Sequence, residues 1–504
     1  MNKKRISLIL MCVILAITAC GCGKTEKKIS GEKPQIKLMM SMSENGGAAV
    51  QIIDKMFEMA GVDGELIQAP SASYSEKLNA TLASGNLPDV VNMDESTMNG
   101  WIDEGALLPM DDYLEDYAPN FMKNLLEGDE KGLINPADGK IYGLPYILRL
   151  PAQRTMGVRR DWLSKLGLEA PTTIEELEAV LTAFKNNADK LGTEVVIPYA
   201  GLLSPFYSMY GIIESGDQGM WTLDADGNYI SRFEHPNYRE CLETLNRLYT
   251  NGLIDPEYFS RNSDENSVYT LFNNGLAGMG FPYSTRLREV TEILRKTNSD
   301  AVFDYMEPIK GVDGEKRILG RSIFGSRTCI TISAEDKIED CVSFLDWCYS
   351  EEGERLLNYG IEGKHYDMVD GAPVIKDEFN HGWVAIRKEG IVPTNLAYNR
   401  SLDAYNQCMF YGKDLEELTD LEKLTYNAYY KNENYVVSPL RAFRTETSLA
   451  KGTDIYSALK EKETKAIVGT LSIDEFFTEL ETIKKNGLDQ ITKEMQEYWA
   501  KLNK

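Results

Sequence analysis

The stretch QIKLMMSMSENGG (35–47) reads as a strand, Gln35 to Met40, that runs out into a polar, glycine-rich loop, Ser41 to Gly47. Ala49, Ile53, Met56, Phe57 and Ala60 then recur at the spacing of one helical face. Leu66-Ile67 starts a second strand. Tyr74, Leu78 and Leu82 mark a second helix that Gly85 stops, and Asp89-Val90-Val91 is a third strand. Alternation of this kind predicts an α/β layer with a mostly parallel sheet. Further along, Pro136-Ala137-Asp138-Gly139 is a turn before Lys140 to Tyr146. Thr173-Ile174-Glu175-Glu176 has the form of a capping box, and Ser472-Ile473-Asp474-Glu475 repeats it. From Asp403 onward the pattern is mainly helical, so the expected body is two α/β lobes plus a helical C-terminal region.

A chain of 504 residues exceeds one hydrophobic core, and 43% apolar residues supply enough for several. Acidic residues number 78 against 54 basic, a formal charge of −24, which argues against nucleic acid as a partner. The three histidines, His235, His365 and His381, leave a His-based metal site unsupported. No CxxC occurs, and Cys341 and Cys348 stand seven apart in a predicted helix, beyond disulfide reach. They read as small buried hydrophobes.

The N-terminus carries Lys3, Lys4 and Arg5 followed by an apolar run from Ile6 to Ile17. Twelve helical residues rise about 18 Å, too little for a bilayer core, so this is read as a signal peptide. Ile17-Thr18-Ala19-Cys20-Gly21 resembles a bacterial lipobox, which makes Cys20 the expected lipidated first residue of the mature chain. Residues 1–19 are then the signal and 20–34 a tether, and loss of three basic residues takes the charge to −27. The expected location is the extracellular face of the cytoplasmic membrane.

Seven segments in order carry a family resemblance: LNATLASGNLPDVV (78–91), LLPMDDYL (107–114), DGKIYGLPY (138–146), VRRDWLSKLGLEAPTTIEELEAVLTAF (158–184), LNRLYTNGLIDPEYF (245–259), GIEGKHY (360–366) and 467–488. Nearly the whole mature chain resembles family-1 (sugar-type) extracellular solute-binding proteins of ABC importers, in particular the large lipoprotein members of Gram-positive bacteria. The resemblance implies a two-lobe, type II periplasmic-binding-protein-like clamshell. Lobe 1 would comprise 35–150 with part of about 325–365, lobe 2 would comprise 151–322, and 366–504 would be mainly helical and pack across both. It also implies an oligosaccharide held in the cleft and delivery to permease subunits, with a monomer, no cofactor, no metal and no catalytic residue.

Loops at strand C-termini are where open α/β sheets hold ligands. Glu44 and Asn45, after the first strand, are candidate partners for a polyol, and Asp94 and Glu95, after the third, are candidate acceptors or helix-capping carboxylates. Gln153 and Arg154 fall where the chain is expected to cross between lobes. Sugar C–H faces stack on aromatic rings, which makes Tyr207 beside Phe206 and Tyr210, Trp221 and Trp383 candidates, and the resemblance implies that Tyr283 in Gly280-Phe281-Pro282-Tyr283 stands at the family's aromatic cleft position. Trp101, Trp162, Trp347 and Trp499 sit in helical patterns and are assigned to packing. Arg321, with Arg286, Arg288, Arg317, Arg327, Arg149 and Arg154, either makes a basic cleft for uronate or sulfate or pairs with the abundant carboxylates. His365 reads as a turn residue. Asn186 to Glu194 offers few alternating oxygen donors for calcium. A receptor of the same fold for a peptide or other solute, and a secreted glycosidase built on paired carboxylates, are the competing readings.

Overall fold

The computed structural model describes residues 32–42, 47–135, 137–149, 154–214, 219–261, 265–320, 322–376, 396–410, 413–431, 434–436 and 445–502. Along the chain the first unit comprises β1 (Gln35–Met42), α1 (Gly47–Met59), β2 (Asp63–Pro70), α2 (Tyr74–Ser84), β3 (Val90–Met93), α3 (Glu95–Asp103) and β4 (Gly143–Ile147). Gly85 closes α2 in the left-handed conformation, as its place in the sequence requires.

The second unit follows with β5 (Met156–Arg159), α4 (Ile174–Asn186), β6 (Ile197–Ala200), β7 (Trp221–Leu223), β8 (Tyr229–Ser231), α5 (Tyr238–Thr250), β9 (Ala277–Gly280), α6 (Arg286–Leu294) and β10 (Phe303–Met306). The chain then returns through β11 (Ile318–Leu319) to β12 (Phe324–Ile330), α7 (Ile338–Trp347) and α8 (Glu351–Tyr359) of the first unit. The remainder begins with a hairpin, β13 (Tyr366–Val369) and β14 (Ala372–Ile375). It continues as α9 (Leu402–Phe410), α10 (Asp420–Tyr430), β15 (Tyr435–Val436), α11 (Glu446–Ile467), α12 (Ile473–Ile483) and α13 (Asp489–Leu502).

One sheet has the order β2-β1-β3-β12-β4, the other β10-β5-β9-β6. β1 pairs in parallel with β2 and β3, and β6 with β9. β12 and β5 run antiparallel to their neighbours, so both sheets are mixed, where a mostly parallel one was expected. The reason is topological. These two strands arrive from the other lobe, start at the edge where the other strands finish, and must run away from it.

Each sheet has its own core. Ile36, Leu38, Met40, Ile52, Ile53 and Met56 pack with Val342, Leu345 and Leu357 in the first. Val158, Trp162, Leu181 and Phe184 pack with Leu242 and Leu245 in the second. Cys241, Cys329, Cys341 and Cys348 are free and buried, and burial pushes the Cys341 thiol up to about 12. At Thr173 the hydroxyl accepts from Glu176 N–H, whereas the Glu176 carboxylate reaches past it to Thr172 N–H, so only half of the expected capping box forms. The box at Ser472 is complete.

The C-terminal residues join both cores. Leu396, Ala397, Tyr398, Ala404 and Phe410 belong to the first. Ile147 N–H donates to Tyr398 O and Arg400 N–H to Ile147 O, so the segment through Tyr398 covers the free edge of β4. Helices α11–α13 pack on the second core through Tyr456, Leu459, Phe476, Leu480 and Ile491. Glu463 of α11 ties them down. Arg232 donates to it at 2.6 Å, and the hydroxyls of Tyr207 and Tyr238 each donate at 2.7 Å.

Arg232 also pairs with Glu214. Burial outweighs even that guanidinium and pushes the Glu214 carboxyl from 4.5 up to about 7. A folded-state value above the unfolded one means stability is present below pH 4.5 and lost as pH rises through 7. Glu214→Gln is therefore expected to match the wild type in urea unfolding at pH 4.5 and to exceed it at pH 8. Equal midpoints at pH 8 would contradict this.

Candidate functional site

β1, β2, β3 and β4 finish at Met42, Pro70, Met93 and Ile147 on one edge of the first sheet, where β12 begins opposite Ile147. On the second sheet β6, β9 and β10 finish at Ala200, Gly280 and Met306, where β5 begins. The chain passes from β4 to β5 and from β10 to β12 between those edges, so both border the interlobe crossings.

At the second edge Arg154 and Tyr283 form an isolated antiparallel bridge. The Arg154 guanidinium lies 3.8 Å from the Tyr283 ring centroid and donates to Phe281 O at 3.2 Å. Tyr283 N–H donates to the Tyr269 hydroxyl at 3.0 Å, and the Arg286 guanidinium covers the Tyr269 ring at 4.8 Å. Tyr283 remains 36% exposed, whereas most large aromatics among the described residues are buried. Beside it an apolar recess is lined by Arg154, Gly201, Val268, Tyr269, Phe272 and Phe281. Gly280 is required there, because a Cβ would fall 2.4 Å from Ala200 O and 2.6 Å from Phe272 Cζ. The result is an aromatic face with a cation against it and an apolar floor, able to take a flat, partly apolar, hydroxyl-bearing group.

The other candidates divide. Asp94 caps α3, accepting from Thr97 N–H at 2.8 Å and Thr97 O–H at 3.1 Å, while Glu95 is half-buried in the first turn. Two residues are corrected. Trp221 is 0% exposed and packs on Tyr229 with a centroid distance of 5.3 Å, and Tyr207 is 4% exposed with its hydroxyl held by Glu463. Both lie in the second core under α11–α13 and offer no face to a ligand. Glu44, Asn45, Gln153, Arg321, Trp383 and Cys20 lie outside the described residues.

Among the described candidates, four arginines pair with carboxylates. Arg149 pairs with Asp129, Arg286 with Glu289, Arg288 with Glu292 and Arg317 with Asp313. Arg327 is buried, donating to Gly325 O and Gly132 O. His365 accepts from Ile361 N–H at 2.9 Å, and burial lowers its pKa to about 4, which makes it a neutral turn residue. Ala188–Leu191 continues as a helical turn, and Asn187 donates its amide to Ala183 O. Among the described residues no group of three or more His, Cys, Asp or Glu is arranged to hold a metal, and no helix is long and apolar enough to cross a membrane. Tyr269 and Phe272 were missed in the sequence. Their signal was the i, i+3 aromatic pair on the helix leading into β9.

Residues 41–355 match the family described as bacterial extracellular solute-binding protein. The chain belongs to that family. Its relatives include Lipoprotein LipO of Bacillus subtilis, 25% identical over 99% of this chain and 98% of that one. The polygalacturonan/rhamnogalacturonan-binding protein YtcQ of Bacillus subtilis is 24% identical over 98% of each chain. The fructooligosaccharide ABC transporter substrate-binding protein FusA of Streptococcus pneumoniae is 25% identical over 98% of this chain and 97% of that one. Among solved structures, alginate-binding protein AlgQ2 without calcium ion superposes with a TM-score of 0.73 at 22% identity, covering 93% of this chain and 98% of that one. FusA in complex with kestose gives 0.68 at 23% identity, covering 93% and 99%. The fold is thus the type II periplasmic-binding-protein-like clamshell. The relatives are solute-binding proteins and not enzymes, which sets the glycosidase reading aside.

Proposed function

We propose that this solute-binding protein captures an oligosaccharide between its lobes and delivers it to an ABC permease, held at the extracellular face of the cytoplasmic membrane by a lipid on Cys20. The observation that carries this is the Tyr283 ring, part exposed at the strand ends of the second sheet with Arg154 stacked on it. A sugar ring presents an apolar C–H face and a rim of hydroxyls, which suits an aromatic wall with a guanidinium donor beside it. The names of YtcQ and FusA support a saccharide as the class.

Thermal unfolding against kestose and against oligogalacturonate tests the reading. A binder is stabilised by about RT ln(1 + [L]/Kd), near 2.7 kcal/mol at a hundredfold excess over Kd. The expected result is a concentration-dependent rise in Tm with one of these sugars and no turnover. A rise with peptides alone, or sugar cleavage, would overturn the proposal.

A further inference from the structure

Helix α10 is the one described helix whose opposite faces sit in two cores. Leu424 and Ala428, with Leu421 alongside, join Val290, Leu294, Phe303 and Tyr305 of the second lobe. Tyr429, with Tyr426 and Tyr430 alongside, joins the first-lobe core containing Ala404 and Phe410. The spacings 421, 424, 428 and 426, 429, 430 put two apolar stripes on one short helix. A surface helix needs only one, and a second stripe has a use only if both neighbours hold it.

The two stripes differ in chemistry. The stripe that α10 turns to the second lobe is aliphatic, with Ala428 at 0% exposure, and it meets Val290, Leu294, Phe303 and Tyr305. The first-lobe side is a cluster of rings: Phe410 and Tyr426 lie 5.4 Å apart, Tyr426 and Tyr430 4.7 Å, Phe410 and Tyr430 6.4 Å. The Tyr430 hydroxyl reaches Asn406 of α9. At the N-terminal end α10 is pinned to the first lobe. Leu418 is 3% exposed in that core, Thr419 caps the helix with Glu422, and Lys413 donates to Glu422 at 3.0 Å.

We propose that α10 is a pivoting strut between the lobes, fixed at Leu418–Thr419, carried by the second lobe along its aliphatic face, and sliding on Phe410 through Tyr426 and Tyr430. From the pivot to Tyr430 is about 16 Å of helix, so a rotation of about 10° moves the tyrosine end by about 3 Å. Ring-on-ring contacts tolerate such a shift because tilted, edge and offset arrangements are of similar energy. Interdigitated aliphatic side chains do not. Opening and closing of the clamshell is then set partly by this cluster, away from the ligand.

The proposal rests on the oligosaccharide reading for its ligand arm and is independent of it for the other. Phe410→Ala, Tyr426→Ala and the milder Tyr430→Leu are compared with the wild type by small-angle scattering, alone and with kestose or oligogalacturonate, and by titration. The expected result is a changed radius of gyration without sugar, and a change in Kd of threefold or more for a sugar the wild type binds. Should no sugar bind the wild type, the oligosaccharide reading fails and the sugar-free scattering still decides the strut. Variants that keep the wild-type Tm, radius and Kd overturn it. If Phe410→Ala unfolds, Tyr430→Leu, which removes one ring of the sliding contact, carries the same test.

Discussion

Arg232→Ala is expected to cost the protein about 3–5 kcal/mol and to release α11–α13 from the second lobe, because truncating one partner of a buried ion pair leaves its counter-charge stranded. Arg232 is 4% exposed and bonds both Glu214 and Glu463, while its guanidinium also lies 4.5 Å over Tyr207 and 4.8 Å over Phe233. Without it, the Glu463 carboxylate is left, among the described residues, with the hydroxyls of Tyr207 and Tyr238. Those hydroxyls belong to groups that burial already pushes well above their usual pKa, so neither can take up a negative charge. Arg232→Lys should retain part of the stability, since an ammonium keeps the charge but cannot fork between two carboxylates. Urea unfolding measures the loss, and hydrogen exchange localises it. Faster exchange confined to 446–502 is expected, whereas unchanged exchange there would show that the apolar contacts alone hold these helices.

This clamp is the kind of feature that sequence reading does not reach. Glu463 and Tyr207 are separated by 256 positions, and nothing local in either segment marks the other. The same distance explains the misplacement of Tyr207 and Trp221. An aromatic in a Pro-containing loop looks alike whether it walls a cleft or waits to be covered by helices encoded much later in the chain. What was legible was local or periodic. The strand–helix alternation of 35–93 came out in order, because side-chain periods of two and 3.6 are written residue by residue. Tyr283 entered through the family resemblance, and the structure places it just past the end of β9, where Gly280 allows the close approach of Ala200 O. The antiparallel sense of β5 and β12 was hidden, because strand direction depends on which lobe the chain has just left.

Trp221 and Tyr283 then make a paired test of cleft against core. Trp221→Ala is expected to lose about 3–5 kcal/mol of stability, the range for removing a large buried aromatic, and to leave the Kd for sugar unchanged wherever the variant is folded. Trp221→Phe should be much milder. The indole Nε1 is buried without a hydrogen-bond partner, so losing it relieves an unsatisfied donor and offsets part of the lost packing. Tyr283→Ala reverses the pattern. Tyr283 is 36% exposed and carries the Arg154 guanidinium on its ring, so Tm should fall little. Loss of one stacking face, about 1.4 kcal/mol, weakens sugar binding about tenfold. Titration of kestose and oligogalacturonate into both variants reads the difference. A tenfold loss in Trp221→Ala with none in Tyr283→Ala would move the binding wall from the strand ends to the far side of the second lobe.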